Sequence, residues 1–325
     1  MRPFDFCKPA TPENAIEDAV GAPGSAFVGG GTNLLDLMKL GVMAPERLVD
    51  VNRLGLNQIE PIENGIEIGA GVTNSDLADD PHIRQLWPLL SRALLAGASV
   101  QLRNKATTGG NLLQRTRCPY FQDTDVACNK REPGSGCAAL GGELRNHAVL
   151  GTSEHCIALH PSDMAVAMRA LDADIVICDA NGGTKSIALR DFYRLPGDTP
   201  HVETALNHGD LITSVRLPAP TGDRQIYRKI RDRASYAFAL VSVALVLRME
   251  NGQIASAALA FGGLGTMPWR DEAVDTVLIG ERPSEALFEK AGETLMSGAE
   301  LRPGLEFKAG LAKRALKSVL MEATR

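Results

Sequence analysis

Residues 101–163 read QLRNKATTGGNLLQRTRCPYFQDTDVACNKREPGSGCAALGGELRNHAVLGTSEHCIALHPSD. The stretch opens on a glycine turn, Thr107-Thr108-Gly109-Gly110-Asn111, and closes on His160-Pro161-Ser162-Asp163. Between them lie four of the chain's six cysteines: Cys118, Cys128, Cys137 and Cys156. No helical or strand periodicity runs through the segment, and Pro119, Pro133, Gly134 and Gly136 interrupt it further. An irregular stretch of this length inside a compact domain needs something to organise it. The gaps are Cys-x9-Cys-x8-Cys-x18-Cys, whereas structural zinc sites usually pair cysteines roughly two to four residues apart. Four cysteines suit a 4Fe-4S cluster, although the spacing is not the common ferredoxin run; unrelated thiols in a flexible loop are the plainer alternative. Arg115, Arg117, Lys130 and Arg131 lie close by, and their charge is expected to lower the thiol pKa values and offset an anionic cluster.

The rest of the chain bounds the reading. At 325 residues and 44% hydrophobic content it can bury a substantial core divided over two or three domains. Its 32 glycines cluster in turns without a period. A formal net charge of −5 argues against a general nucleic-acid binder. No run of about eighteen apolar residues predicts a membrane span. Asp5 and Pro9 stand where a signal peptide needs an apolar core. Six cysteines in a chain of this length do not form a disulfide scaffold, and their clustering points to metal or redox chemistry. Cys7 and Cys178 fall in predicted strands and read as buried apolar thiols.

Upstream, strand and helix alternate. FDFCKPA predicts a strand, and TPENAIEDAV a helix with Thr11 as N-cap and Pro12 at its first position. SAFVGGGTNLLDLMKL predicts strand, glycine turn and helix, with RLVDVN as a further strand. Backbone N–H groups across Gly29-Gly30-Gly31-Thr32-Asn33 can face one anion at a helix start, because glycine lets the main chain approach closely; a plain tight turn is the other reading. A dinucleotide fingerprint fails here, since Leu34 occupies its third glycine position. Two glycine turns of like character, this one and Thr107–Asn111, can grip one diphosphate from opposite sides. QIEPIENGIEIGAGVTNSDL predicts antiparallel strands about Asn64-Gly65, then a helix capped by Thr73 or Asn74.

Downstream, Ser162 caps a helix. Asp163 is either a first-turn acid favoured by the helix dipole or an acceptor for a ribityl hydroxyl. GGTKSIALRDFY and GDLITSVRLP continue the sheet, and Pro218 and Pro220 mark a boundary. Beyond it, QIYRKI predicts a strand, YAFALVSVALVLRM a helix or long apolar segment, and Asn251-Gly252 a hairpin. Three helices follow, the last with Leu311, Ala315, Val319 and Leu320 on one face. Arg228, Lys229, Arg231 and Arg233 form either a solvated basic edge or a contact with a cofactor or partner.

In order, FVGGGTNLLDLMK, LRNKATTGGNLLQ, HPSD and RKIRDRASYAFALVSVA resemble the FAD-binding subunit of the molybdenum hydroxylases, the xanthine dehydrogenase and aldehyde oxidase family. The resemblance covers nearly the whole chain. The cysteine segment, which most FAD subunits of the family lack, makes it similar to those of three-subunit bacterial periplasmic aldehyde oxidases. The resemblance implies an α+β fold. Residues 1–217 would form a PCMH-type (vanillyl-alcohol-oxidase-like) FAD domain with subdomains at about 1–55 and 56–217 and a 4Fe-4S loop at 114–160. Residues 218–325 would form a C-terminal α+β domain of the CO-dehydrogenase flavoprotein type. It further implies that Val28, Gly29, Gly30, Gly31, Thr32, Asn33 and Leu34 bind the FAD pyrophosphate, with Thr107, Gly110 and Asn111 also touching FAD. Asp163 would bond the ribityl chain, Ile212 and Lys229 would lie near the isoalloxazine, and Cys118, Cys128, Cys137 and Cys156 would ligate the 4Fe-4S cluster.

By the same resemblance this chain is an electron-transfer subunit. The expected partners are a large chain holding molybdenum cytosine dinucleotide, which oxidises aldehydes to carboxylic acids, and a small chain with two 2Fe-2S clusters. FAD would pass the electrons to an external acceptor. The complex would reach the periplasm by co-export with a signal-bearing partner, the cytoplasm being the alternative. Other readings are the FAD subunit of a xanthine, N-heterocycle or hydroxybenzoyl-CoA enzyme of the family, and a stand-alone flavin oxidase. A zinc-stapled scaffold without enzymatic activity is a further rival.

Overall fold

The computed structural model describes residues 1–325 as three sheets with helices around and between them. β1 (Asp5–Cys7), β2 (Ser25–Val28) and β3 (Arg47–Asp50) form a parallel sheet in the order β1-β3-β2. The helix Pro12–Val20 makes the crossover from β1 to β2. Thr11 caps it by accepting the Asn14 N–H, and Ala15, Ile16 and Ala19 form its buried face.

β4 (Ile59–Ile62), β5 (Gly65–Gly69), β6 (Asp174–Cys178), β7 (Thr184–Ala188) and β8 (Leu211–Pro218) form an antiparallel sheet in the order β4-β5-β8-β6-β7. β8 thus inserts between strands about 140 and 35 residues earlier in the chain, a non-local pairing of the kind that alternation alone does not reveal. The pairings Ile177–Ile212 and Val176–Ser214 leave Thr213 as a bulge in β8, next to Ile212. Bulges commonly re-aim neighbouring side chains.

β9 (Arg224–Ile230), β10 (Val241–Glu250) and β11 (Gln253–Gly262) form the third sheet, antiparallel in the order β11-β10-β9. The Asn251-Gly252 hairpin forms as expected, with both residues at positive φ. The apolar run read as a helix or long segment is instead β10. Both faces of that strand are covered, so alternation disappears and a continuous apolar run remains. Val243, Leu245, Leu247, Leu259 and Phe261 face the C-terminal helices and the cysteine segment. Ala244, Val246, Ala258 and Ala260 face the helices Pro88–Ala96 and Asp163–Ala170 in a second core. The small residues on that second face let those helices approach the sheet closely. Along the last helix, Glu306–Ala323, Ala315, Val319 and Leu320 are buried, and Leu311 packs at the core's margin.

Arg270 joins the third sheet to the middle of the chain. Its Nε donates to Asp275 at 3.0 Å, and its Nη1 donates to Asp172 at 2.7 Å and to the Arg169 carbonyl at 3.2 Å. No helix is long and apolar enough to cross a membrane.

Candidate functional site

A cleft of ≈ 630 Å³ runs where the first, second and third sheets meet, within the range of roughly 300–1,000 Å³ typical of cofactor sites. All of Val28, Gly29, Gly30, Gly31, Thr32, Asn33, Leu34, Thr107, Gly110, Asn111, Asp163, Ile212 and Lys229 line it. These residues come from five separate parts of the chain and converge only in the fold.

The two glycine turns do different jobs. In the first, between β2 and the helix Leu34–Lys39, the N–H groups of Gly30, Gly31, Thr32 and Asn33 donate to no atom of the chain. Gly31 sits at φ +71°, where a side chain is strained. Four successive uncommitted amides at a helix start form a nest for an anion. The second stretch is not a matching turn. Thr107 caps a short helix, Thr108–Leu112, by accepting the Gly110 N–H at 3.2 Å. The N–H groups of Thr108, Gly109 and Asn111 are committed to Val72, Ala70 and Thr107 carbonyls. The expectation of two equivalent turns gripping a diphosphate from opposite sides is therefore corrected: the first presents the free amides and the second buttresses it. A Cβ on Gly30 would stand 1.7 Å from the Lys105 carbonyl oxygen, so only glycine allows the two backbones to touch.

At the other end, Asp163 lies in the first turn of its helix and is almost wholly buried with Lys229 of β9, their side chains 10% and 4% exposed. Lys229 Nζ donates to Asp163 Oδ2 at 2.7 Å and to the Ala96 carbonyl at 3.1 Å. The Tyr227 hydroxyl donates to Asp163 Oδ1. Burial beside that carboxylate pushes the Tyr227 pKa well above its usual value, so the phenol keeps its proton. Asp163 is thus more than a helix-start acid: it is an acceptor held from both sides by the C-terminal sheet. The run Arg228–Arg233 divides by strand alternation. Tyr227, Lys229 and Arg231 share one face, with Arg231 bonding the Ala96 carbonyl, while Arg228 turns outward to Glu322.

The residues missed from the sequence are Tyr227, which bonds Asp163 from behind the cleft, and Arg103, Tyr236 and Phe238, which line it. The period-2 pattern of QIYRKI, which sets Tyr227 two residues before Lys229, was the available signal for the first. Arg117 stacks over Phe238 at the mouth, 5.4 Å from the ring centroid. Arg115 pairs with Glu203 at 2.6 Å while its N–H donates to Asn33 Oδ1 at 2.8 Å, tying the cysteine segment to the amide nest.

A second, closed pocket lies just beyond. Cys118, Cys128, Cys137 and Cys156 all line it, unpaired, together with Tyr120, Phe121, Ala139, Ile157 and Ala158. Asn129 draws Cys128 and Cys137 opposite one another: its N–H donates to the Gly136 carbonyl at 2.7 Å and its Oδ1 accepts the Gly136 N–H at 2.8 Å. The rest of the pocket belongs to the core shared with the third sheet. The expected lowering of the thiol pKa values by nearby cations is corrected. Burial pushes the Cys118 thiol up to about 12 and raises Cys156 as well, and of the basic residues Lys130 alone counters it at Cys156. The other cations are committed elsewhere: Arg115 to Glu203, and Arg131 to the Tyr120 and Phe121 carbonyls. Cys178 is buried as expected, but Cys7 on the edge strand β1 is only half-buried.

Both sites pass a chemical test of fit. The cleft offers a row of free amides, basic side chains and a buried polar acceptor, which match the diphosphate and polyol of FAD. The second pocket offers four thiols in an apolar setting, a donor set that selects iron–sulfur clusters or zinc over hard cations. No three His, Cys, Asp or Glu side chains converge on a point suited to a metal ion. The free space in this pocket is ≈ 10 Å³.

Comparison with known proteins agrees with this geometry. Residues 2–220 match the family described as the FAD binding domain in molybdopterin dehydrogenase, and residues 225–323 match the CO dehydrogenase flavoprotein C-terminal domain. The chain is 55% identical over 324 residues to the aldehyde oxidoreductase FAD-binding subunit PaoB of Escherichia coli (strain K12), covering 99% of both chains. It is 26% identical over 295 residues to the glyceraldehyde dehydrogenase medium chain of Sulfolobus acidocaldarius, covering 90% of this chain and 87% of that one. Among solved structures, a chain of quinoline 2-oxidoreductase from Pseudomonas putida 86 superposes with a TM-score of 0.77 at 23% identity, covering 99% of this chain and 97% of that one. A chain of the Hydrogenophaga pseudoflava carbon monoxide dehydrogenase gives 0.78 at 22% identity, with coverage of 99% and 97%; these two likenesses establish the fold. The chain belongs to the FAD-binding subunits of the molybdenum hydroxylases.

Proposed function

We propose that this chain is the FAD- and 4Fe-4S-containing electron-transfer subunit of a three-chain aldehyde oxidoreductase. The observation that carries the flavin site is the row of free amides at Gly30–Asn33, set in the same cleft as the buried Asp163–Lys229 pair. Gly30, Gly31, Thr32 and Asn33 would hold the pyrophosphate, with Val28, Gly29 and Leu34 shaping the turn. Thr107, Gly110 and Asn111 would close the opposite wall, and Asp163 would accept from the ribityl chain. Ile212 and Lys229 would border the isoalloxazine. Bound FAD supplies redox chemistry that couples one-electron donors to an external acceptor; the chain's own residues bind it, orient it and fix the charge around it.

The 4Fe-4S reading rests on the four unpaired thiols that line one apolar pocket. Cys118, Cys128, Cys137 and Cys156 would be its ligands, and the metal would anchor a segment with little regular structure of its own. The aldehyde reading rests on the 55% identical relative named as an aldehyde oxidoreductase subunit. Substrate oxidation would take place on a large partner holding molybdenum cytosine dinucleotide, and electrons would arrive through a small partner with two 2Fe-2S clusters. Periplasmic location by co-export with a signal-bearing partner belongs to the same proposal.

Iron, acid-labile sulfide and flavin are to be measured per chain on the anaerobically purified complex and on a Cys128→Ser variant. The reading expects one FAD and four irons on this chain beyond those of the partners, with the variant losing the iron and keeping FAD. FAD without iron would overturn the cluster and leave the flavin subunit; zinc without flavin would overturn both. Turnover of N-heterocycles in place of aldehydes by the complex would overturn the substrate assignment.

A further inference from the structure

Beside the cysteine pocket stands a histidine that the flavin chemistry does not use. His147 is 1% exposed, and its Nε2 lies 3.2 Å from Cys118 Sγ. Its other ring nitrogen, Nδ1, is buried with no partner. Which nitrogen carries the proton follows from the donor inventory. A metal-bound cysteinyl sulfur only accepts, so an attractive contact requires Nε2–H, and the orphan Nδ1 is then an acceptor, the less costly atom to leave unpaired.

The backbone from which His147 reaches is itself held. Lys308, on the last helix, is 0% exposed and has no carboxylate partner. Its Nζ donates to the His147 carbonyl at 2.7 Å and to the Gly263 carbonyl at 2.6 Å. Burying a lysine without a carboxylate partner costs free energy that its bonds to two carbonyls partly offset. The bond pins the residue facing Cys118 to the C-terminal domain. The ring of Tyr120, next but one to Cys118, lies with its centroid 6.0 Å from that of His147.

We propose that His147 is an outer-shell donor to the metal centre, its Nε2–H bonding the Cys118 sulfur and raising the reduction potential of the centre, with Lys308 as the positioning residue that fixes the backbone of His147. The physical ground is that a hydrogen bond to a cysteinyl sulfur withdraws charge and stabilises the reduced, more negative state. This inference rests on the 4Fe-4S reading.

The test is a redox titration of the anaerobically purified complex, followed by the EPR signal of the reduced cluster, with iron and sulfide determined on every sample. Wild type, His147→Leu, His147→Gln and Lys308→Met are compared. The expected result is full iron with a midpoint displaced to more negative potential in His147→Leu. In His147→Gln, whose side-chain amide can still donate, most of that displacement is recovered. Lys308→Met is expected to give a smaller displacement of the same sign. A His147→Leu midpoint equal to wild type, with iron retained, overturns the inference and leaves the cluster standing. Should His147→Leu lose its iron, His147→Gln decides: a wild-type midpoint supports the donated bond, and a full negative displacement overturns it. A wild-type chain with FAD and no iron overturns the cluster reading and this inference with it.

Discussion

Gly30→Ala is the sharpest single test of the site. A Cβ at that position would lie 1.7 Å from the Lys105 carbonyl oxygen, 2.5 Å from its carbon and 3.0 Å from the Ala106 nitrogen. Non-bonded carbon–oxygen contacts settle near roughly 3.3 Å, so the turn and the segment before Thr107 must part by about 1.5 Å. All three obstructing atoms are backbone, so no side chain can rotate to relieve the clash. Overpacking of this kind costs about 1–3 kcal/mol. If that strain falls on the assembled amide nest, FAD binding weakens by about 5- to 150-fold, since 1.4 kcal/mol is tenfold. The assay is the dissociation constant for FAD, from flavin fluorescence, in Gly30→Ala and in Gly298→Ala. The second variant is the control, because nothing lies within 4 Å of a Cβ at Gly298. A Gly30→Ala protein that binds FAD with wild-type affinity and unfolds at the wild-type temperature would refute the account of two mutually supporting turns.

Other outcomes follow from the same coordinates. Lys229→Met leaves Asp163 buried without its cation and is expected to cost about 3 kcal/mol in chemical denaturation of the FAD-free chain; in Lys229→Met with Asp163→Asn most of that loss should be recovered. Tyr227→Phe removes one donor to Asp163 and is expected to cost about 1–2 kcal/mol, seen as a lower unfolding temperature with FAD still bound. Burial pulls the Lys308 pKa down to about 7, so between there and the usual lysine value near 10.4 the unfolded chain holds a proton that the folded chain has released. Stability therefore rises with pH through that window, by at most about 1.4 kcal/mol per unit, and denaturant titrations of Lys308→Met at pH 7 and 9 should show that increment gone. The neutral amine keeps two protons for its two carbonyls, so the wild-type bonds survive the titration.

Local pattern carried far in this chain. Thr11 and Ser162 cap the helices their spacing predicts, Asn251-Gly252 makes its hairpin, and the glycine turn at 29–33 leads into a helix with its amides free. These features are encoded within a few residues by capping hydroxyls, positive-φ positions and periodicity. The order of motifs, the cysteine count and the FAD family were legible for the same reason, because each is a statement about neighbours in sequence. Only the tertiary structure decided the rest. β10 reads as one apolar run because it is covered on both faces, and no window of sequence shows that its second face meets helices from residues 88–96 and 163–170. Burial in a shared core raised the Cys118 and Cys156 pKa values, outweighing Lys130 beside Cys156. Asp163 is held by Tyr227 and Lys229, more than sixty residues away, and the His147 carbonyl by Lys308 across 161 residues. Sequence sets what each segment prefers; long-range packing sets which polar groups end up desolvated together, as it does for Asp163, Tyr227 and Lys229.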